Sequence, residues 1–251
     1  MYWSDDGIVL SVRRHGETSA VVTLLTRRHG RHAGLVRGGA GRRLRGILQP
    51  GNEVSAEWRA RLAEHLGTFA VEPGRARVAE LLDDPARLAA LAAACAVTEA
   101  SLPEREPHPA LFDALRVLLD SLADGETWPA VYVRWEMGLL QELGFGLDLS
   151  RCAATGDVDD LAYVSPKSGR AVSRTAAEPY KHRLLPLPAF LLGARTGLPD
   201  DTDLKNGLTL TGYFLDRHIF AGRNTTAPPA RHRLVEKFSV APTISGDNVP
   251  A

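Results

Sequence analysis

Hydrophobic and polar residues alternate with a period of two over much of the first 78 residues. Val54, Ala56, Trp58 and Ala60 are separated by polar or charged residues, a pattern typical of a strand with one buried face. Four further short runs, separated by turns, have the composition of strands: residues 8–12, 19–26, 33–37 and 67–71. Five short strands in so short a segment predict a small barrel or sandwich, and a five-stranded barrel of the OB type has the matching size.

After residue 78 the spacing of apolar residues changes to that of α-helices. Asp84 and Pro85 form a typical helix start, an N-cap residue followed by proline at the first helical position. Helices are predicted over residues 86–98, 107–122, 129–143, 187–193 and 203–220, whereas residues 148–175 lack helical periodicity and the chain is expected to fray after Lys237. The sequence therefore predicts an α+β fold. An OB-type domain spans residues 1–78, and a helical domain spans residues 79–251 with an irregular insertion at about 148–175.

Composition places the chain among ordinary globular proteins. Of its 251 residues, 44% are hydrophobic and 24% are charged, which excludes a disordered or collagen-like chain. The longest apolar run, Leu88 to Val97, is too short to cross a bilayer, and the N-terminus is acidic where a signal peptide would be basic. Two cysteines, Cys95 and Cys152, are too few for a disulfide framework. We therefore expect a cytoplasmic protein with no membrane partner.

Charge is distributed unevenly along the chain although the net charge is zero. Residues 1–78 hold thirteen arginines and seven acidic residues, residues 79–150 hold four arginines and thirteen acidic residues, and residues 151–251 hold thirteen basic and ten acidic residues. The first segment is therefore basic by +6 and the second acidic by −9. Such asymmetry is typical of two domains with different partners and favours nucleic-acid binding by the basic one.

A glycine-rich segment carries the densest group of positive charges. Arg37, Arg42, Arg43 and Arg45 flank or lie within residues 38–46, where a flexible loop would let guanidinium groups follow a phosphate backbone without reading sequence. The alternative is a solvated basic surface that reflects a GC-rich genome. Arg59 and Arg61 are expected on one face of a strand, opposite a buried Trp58. The predicted DNA-binding residues are Arg13, Arg14, Arg31, Arg37, Arg42, Arg43, Arg45, Arg59 and Arg61, and Tyr2 and Trp3 are weaker candidates for base stacking.

Motifs for catalysis are incomplete, so we expect no enzymatic activity. Residues 46–51 have the glycine spacing of a phosphate-binding loop, but Asn52 and Glu53 stand where such a loop needs lysine and a hydroxyl residue. No serine or cysteine lies in a recognisable nucleophile motif. Asp157, Asp159 and Asp160 lie together but have the setting of solvated turn residues.

Several short motifs occur in order and in register along most of the chain. Those in the first part are Gly7-Ile8-Val9-Leu10, Arg13, Gly16-Glu17-Thr18, Thr26, His29-Gly30-Arg31, Val36-Arg37-Gly38-Gly39, Leu48-Gln49-Pro50-Gly51-Asn52 and Leu66-Gly67-Thr68. Those in the later part are Leu143-Gly144-Phe145, Cys152, the segment 163–173 and Arg217-His218. Together they resemble the RecO family of DNA repair and recombination mediators from about Gly7 to Val235, and in the later part its proteobacterial branch.

The resemblance implies both a fold and a function. It implies an N-terminal OB fold followed by a helical domain, binding of single- and double-stranded DNA, and annealing of complementary strands. It further implies that the protein, together with RecR, helps RecA load on single strands coated by the single-stranded DNA-binding protein SSB. RecA is then an indirect partner, and the protein is expected to be associated with the nucleoid.

Some members of the resembled family hold zinc through four cysteines in the helical domain. Cys152 matches the first of these, but Thr155 stands where the second belongs, and the rest of the segment through Ser173 has no cysteine. A structural zinc site needs four ligands, usually thiolate or imidazole. We therefore predict no zinc and no other cofactor, with Cys152 remaining as a buried thiol.

The resemblance also implies capture of the acidic SSB tail, which ends in an apolar residue. Such capture needs a cation beside a hydrophobic pocket. The candidate cations in the helical domain are Arg116, Arg134, Lys181, Arg183, Arg217 and Arg223, and the sequence does not choose among them. A second hypothesis is a protein-interaction scaffold whose barrel binds an acidic protein instead of DNA, because a fold does not fix a function.

Overall fold

Five strands in the first part of the chain close into a barrel. The computed structural model describes residues 1–193, 198–223 and 225–238. The strands are β1 (Tyr2–His15), β2 (Ser19–Thr26), β3 (Gly30–Val36), β4 (Glu53–Arg59) and β5 (Thr68–Pro73), joined in the order β1-β2-β3-β5-β4. Within this barrel, β3 and β5 are parallel neighbours and the other neighbouring strands are antiparallel. The α+β class and the predicted barrel are confirmed, although β1 is much longer than the alternation at residues 8–12 indicated.

The first two strands are buried on both faces. Val9 and Leu24 belong to the core inside the barrel, together with Trp58 and Phe69. Ile8, Leu10 and Leu25 point the other way and join the core of the helical domain. A strand buried on both faces reads as a continuous apolar run, which is why this part of β1 and β2 shows little polar alternation in the sequence.

One helical turn lies within the barrel segment, and the other described helices follow the barrel. The helices are α1 (Arg42–Arg45), α2 (Arg77–Glu80), α3 (Pro85–Ser101), α4 (Pro109–Ala123), α5 (Trp128–Glu142), α6 (Arg174–Ala177), α7 (Asp201–Leu215) and α8 (Pro229–Lys237). A π-helical turn at Asp216–Phe220 continues α7, and 3-10 turns lie at Glu178–Arg183, Ala189–Leu192 and Ala221–Arg223. Asp84 caps α3 as predicted, since its carboxylate accepts from the amides of Ala86 and Arg87.

The segment expected to be irregular contains part of a small sheet. Strands β6 (Leu161–Val164) and β7 (Ala171–Ser173) pair with each other, and β8 (Leu185–Pro186) pairs with β6. Strands of two to four residues are too short for a period of two to be read in the sequence. The chain was predicted to fray after Lys237. The residues after Phe238 lie outside those that the structure describes.

Two buried arginines tie separate elements together. Arg77, in α2, is buried and pairs with Glu53 of β4 at 2.7 Å and with Asp120 of α4 at 2.6 Å. Arg231 of α8 donates to both carboxylate oxygens of the fully buried Glu136 in α5, at 2.7 and 2.8 Å. Removing one partner of such a pair leaves a buried charge without compensation, which is strongly destabilising.

Across residues 1–193, 198–223 and 225–238, every helix is too short or too polar to cross a membrane.

His32 lies inside the barrel within a group of aromatic rings. Its ring meets Trp3, Trp58 and Phe69 edge-on, with ring centroids 5.0, 4.8 and 6.1 Å apart. Neither ring nitrogen has a hydrogen-bond partner among the residues that the structure describes. Burial, followed by the nearby charges of Arg105 and His29, lowers the pKa of His32 from 6.5 to about 4. The imidazole is therefore neutral in the folded protein at neutral pH.

This burial predicts a specific loss of stability in acid. Between pH 6.5 and about 4 the unfolded chain protonates His32 while the folded chain does not, so the free energy of unfolding falls as the pH is lowered through this window. The contribution is at most about 3 kcal/mol. His32→Phe keeps a ring and removes the titratable group. We expect this variant to lose less stability between pH 6.5 and 4 than the wild type in denaturant titrations.

The exposed His182 offers the control, because His182→Gln should leave the pH profile of stability unchanged. An equal loss of stability in His32→Phe and the wild type would show that protonation of this ring does not matter.

Candidate nucleic-acid interface

The arginine-rich connection between β3 and β4 is folded, not a flexible loop. Residues 42–45 form the helical turn α1, which corrects the prediction of a flexible segment. Leu44 and Ile47 pack against the barrel core and Leu48 is buried. These apolar residues anchor a turn that glycine spacing alone does not reveal. Arg42, Arg43 and Arg45 remain exposed on this anchored turn.

A groove lies on one side of α1. It has a volume of about 660 Å³ and is lined by Arg37 and Arg43 on the α1 side and by Arg59, Phe69 and Val71 on β4 and β5. Arg59 also pairs at 3.1 Å with Glu57, a half-buried carboxylate that lines the same groove. We call this the first groove. Its three guanidinium groups beside apolar side chains suit a ligand that carries both negative charge and flat apolar surfaces.

A second groove lies on the opposite side of the same turn. It has a volume of about 480 Å³ and is lined by Arg14 and Arg45 together with Val12, Leu48 and Pro50. Arg14 donates to the carbonyl oxygen of Glu17 at 3.1 Å. The turn α1 therefore separates two grooves, each lined by arginines, and five of the predicted residues lie at one or the other.

The remaining predicted DNA-binding arginines are dispersed. Arg13 is exposed near the end of β1, and Arg42 is exposed on α1 between the grooves. Arg61 lies beyond the end of β4, so it does not share a strand face with Arg59 as expected. The side chain of Arg31 is only 19% exposed; it donates to the carbonyl oxygen of Leu102 at 2.9 Å and pairs with Glu104. Arg31 is thus used in the contact between barrel and helical domain.

Of the N-terminal aromatic residues, Tyr2 is the more accessible. Its side chain is 58% exposed, and the guanidinium of Arg59 lies over its ring at 5.1 Å. Trp3 is half-buried and stacks on His29 with ring centroids 4.1 Å apart. Trp58 is buried, as expected, and its indole nitrogen donates to the carbonyl oxygen of Leu66. A flat ring beside an arginine is therefore available at Tyr2.

A separate cavity lies in the helical domain. It has a volume of about 470 Å³ and lies between the ends of α3 and α5 and the turns that follow α7. Its apolar lining comes from Pro103, Leu143, Phe145 and Ile219, and Arg223 also lines it. We call it the helical-domain cavity. It combines an apolar lining with a cation.

The same cavity contains titratable groups of both signs. His108 lies 3.0 Å from Glu142, and Glu106 also lines the wall. His218 stacks on Phe145 with ring centroids 4.8 Å apart. Glu142 is therefore held by a contact with a histidine ring, and Glu106 adds a second carboxylate to this wall.

The other candidate cations for partner binding lie elsewhere. Arg116 is exposed on α4 and lies 3.6 Å from Glu53, while Arg134 donates to the carbonyl oxygen of Phe190 at 2.7 Å. Lys181 and Arg183 are exposed on a 3-10 turn. Arg217 donates to the hydroxyl of Tyr213 at 2.9 Å. The structure brings only Arg223 of this set to the helical-domain cavity.

The residues around Cys152 do not fit a zinc site. Its sulfur is buried and accepts hydrogen bonds from the amide and the hydroxyl of Ser173, at 3.3 and 3.4 Å. Burial raises the pKa of this thiol, but the hydrogen bonds from Ser173 and Thr155 outweigh it and lower the pKa to about 6. Within the part of the chain that the structure describes, no three metal-ligating side chains lie together. In the described part of the chain, the neighbours of this sulfur are hydrogen-bond donors and not side chains that could bind a metal together with it.

Comparison with known proteins agrees with these features. The family described as "Recombination protein O N terminal" matches residues 1–73, and "Recombination protein O C terminal" matches residues 82–227. The chain is 59% identical over 248 residues to the DNA repair protein RecO of Rhodospirillum centenum, covering 98% of each chain. It is 55% and 52% identical over 241 residues to the proteins of the same name from Phenylobacterium zucineum and Caulobacter vibrioides, covering 96% of this chain and 99% of each relative. A barrel and a helical domain that both match the same family, along nearly the full length of these relatives, place the chain in the RecO family of DNA repair proteins.

Proposed function

We propose that the protein is a non-enzymatic recombination mediator that binds single- and double-stranded DNA and anneals complementary strands. Together with RecR it helps RecA load on single strands coated by SSB. The observation that carries the proposal is the pair of arginine-lined grooves on either side of α1. Membership of the RecO family supports the role in repair, and the grooves supply a physical means for it.

Electrostatics explains how such a surface anneals strands. Phosphates on two single strands repel each other, and arginines lower that repulsion when they lie close to both backbones. Arg37, Arg43 and Arg59 line one groove, and Arg14 and Arg45 line the other. Two backbones held on either side of α1 are brought within reach of pairing, without a chemical step.

The role of α1 is tested by removing its charge. Replacing Arg42, Arg43 and Arg45 together by alanine should weaken binding of a fluorescent single-stranded oligonucleotide. The slope of log affinity against log salt concentration should become shallower by about 2, since each lost phosphate contact contributes about 0.7. Fluorescence anisotropy at a series of salt concentrations measures both quantities, and annealing of complementary strands should slow in parallel.

A control with the same loss of charge comes from the helical domain. Lys205, Arg233 and Lys237 are exposed on α7 and α8, and their replacement by alanine should leave the salt slope unchanged. An unchanged slope and affinity in the α1 variant would remove this turn from the mechanism. If the wild-type protein binds no oligonucleotide even at low salt, the scaffold hypothesis, in which the barrel binds an acidic protein, replaces the mediator.

We further propose that the SSB tail binds in the helical-domain cavity. That tail, as the family resemblance implies, carries acids and a terminal apolar residue, and this cavity presents Arg223 beside Leu143, Phe145 and Ile219. The cation attracts the acidic residues and the apolar lining accepts the terminal side chain. Among the candidate cations, this position of Arg223 favours it over the other five.

Arg223→Ala should weaken binding of a synthetic tail peptide by about tenfold, which is the range expected for loss of one charge-assisted contact. Isothermal titration calorimetry measures the affinity. Lys205→Ala, which removes one charge from an exposed position on α7, is the matched control and should bind the peptide as the wild type does. Equal peptide affinity in both variants and the wild type would exclude this cavity as the docking site.

We also propose that the segment around Cys152 holds no zinc. Ser173 and Thr155 occupy the hydrogen-bonding positions of the sulfur, and a single thiolate is too few ligands for a structural site. Elemental analysis of the purified protein should find far less than one zinc per chain, and EDTA should leave the melting temperature unchanged. Zinc in a one-to-one ratio, lost together with stability on chelation, would contradict the proposal.

A further inference from the structure

The loop between β4 and β5 is held by an arginine from the other domain. Arg105, in the segment between α3 and α4, donates from its guanidinium to the carbonyl oxygens of Ala63, Glu64 and His65. The bonds to Glu64 and His65 are 3.3 and 2.8 Å long. One side chain of the helical domain therefore satisfies three consecutive carbonyls of the barrel.

The barrel itself binds the next two carbonyls. The indole nitrogen of Trp58 donates to the carbonyl oxygen of Leu66 at 3.0 Å, and the amide of Leu35 donates to that of Gly67 at 3.1 Å. The five consecutive carbonyl oxygens of residues 63–67 thus all accept hydrogen bonds from other parts of the protein. The side chains remain available to solvent: Leu62 is 46% and Leu66 is 42% exposed.

The backbone of Arg105 is itself constrained. Its φ is 62°, in the left-handed region that residues with side chains rarely adopt. Its amide donates to the carbonyl oxygen of Arg31 at 2.8 Å. The next residue, Glu106, packs so closely on Gly30 that a Cβ at position 30 would clash with the carbonyl oxygen of Glu106. Strain of this kind persists only where the surroundings fix the residue, and it is a recurrent feature of functional sites.

The loop that Arg105 holds lies next to the exposed aromatic residue and an arginine of the first groove. The N-terminal amine of Met1 donates to the carbonyl oxygen of Ala60 at 2.7 Å, so the N-terminus lies against the start of the loop. Tyr2 pairs across the sheet with Arg59, whose guanidinium lies over one face of its ring. Exposed leucines, an exposed ring and an arginine together suit nucleic acid whose bases are unpaired, because apolar and aromatic side chains contact base faces while arginine binds phosphate.

We propose that Arg105 is a positioning residue for single-stranded DNA. It fixes the β4–β5 loop so that Leu62 and Leu66 contact the bases of a strand whose phosphates lie in the first groove. This inference rests on the proposed function, because it assumes that the barrel binds DNA. The exposed leucines of the β4–β5 loop then form a base-contacting surface that the sequence did not indicate. The position of that surface depends on Arg105 of the helical domain.

A double-mutant cycle on the full-length protein tests the proposal. Leu62→Ser combined with Leu66→Ser should weaken binding of an oligothymidylate about fivefold, with a smaller effect on a duplex, whose bases are covered. Arg105→Ala should weaken oligothymidylate binding by a similar factor and speed hydrogen exchange at the amides of residues 62–67. In the Arg105→Ala background the leucine changes should cost less than twofold, since the loop is already displaced.

Arg87 provides a matched control for the lost hydrogen bonds. Its guanidinium also donates to three main-chain carbonyls, those of Leu122, Ala123 and Gly125 at the end of α4. Arg87→Ala should leave both oligothymidylate affinity and exchange in the β4–β5 loop unchanged. A loss of affinity equal to that of Arg105→Ala would mean that general destabilisation explains the effect and would overturn the proposal.

The outcomes separate this inference from the function on which it rests. Absence of wild-type binding overturns the proposed function. Wild-type binding that is insensitive to both the leucine changes and Arg105→Ala overturns only the inference, as do fully additive effects. The two leucines are exposed, so their replacement by serine tests the base-contacting surface even if Arg105→Ala does not fold.

Discussion

The burial of β1 and β2 on both faces determines how the rest of the molecule is arranged. Val9 faces the barrel core, while Ile8 and Leu10 face the core of the helical domain. One strand therefore belongs to two hydrophobic cores, and the barrel cannot turn relative to α3 without exposing apolar surface to water. This fixed orientation places Arg105 within reach of the β4–β5 loop. It also places the same segment of chain, through Pro103 and Glu106, in the wall of the helical-domain cavity.

Ion pairs between the barrel and the helical domain neutralise part of the uneven charge along the sequence. Arginines near the helical domain have acidic partners there: Arg27 pairs with Asp113 at 2.7 Å, and Arg77 pairs with Asp120. Within the residues that the structure describes, no carboxylate oxygen lies within 4 Å of a guanidinium nitrogen of Arg37 or of the three arginines of α1. Arg37, Arg43 and Arg45 therefore bring positive charge that no such carboxylate offsets to the two grooves.

Local patterns predicted some of this structure and tertiary contacts decided the rest. The alternation around Trp58 predicted a strand of the barrel, and Asp84-Pro85 predicted the start of α3. Both predictions were possible because a strand face and an N-cap are encoded by neighbouring residues. The number of arginines in the first segment could not show that Arg31 donates to a carbonyl oxygen of Leu102 whereas Arg43 lines a groove. Likewise the capture of loop carbonyls by Arg105 joins residues about forty positions apart, a contact that no local pattern encodes.

The arginines of α1, which pair with no carboxylate in the described part of the chain, indicate the kind of ligand that this surface suits. Arg42 and Arg45 stand three residues apart on one helical turn, where like charges repel and destabilise a helix by a few tenths of a kcal/mol. The turn forms because Leu44 packs on the barrel, and not because its charges favour it. A polyanion that approaches either groove attracts these guanidinium groups and offsets their mutual repulsion, whereas a neutral peptide leaves that repulsion in place. The surface is therefore better suited to phosphate backbones than to an uncharged protein partner.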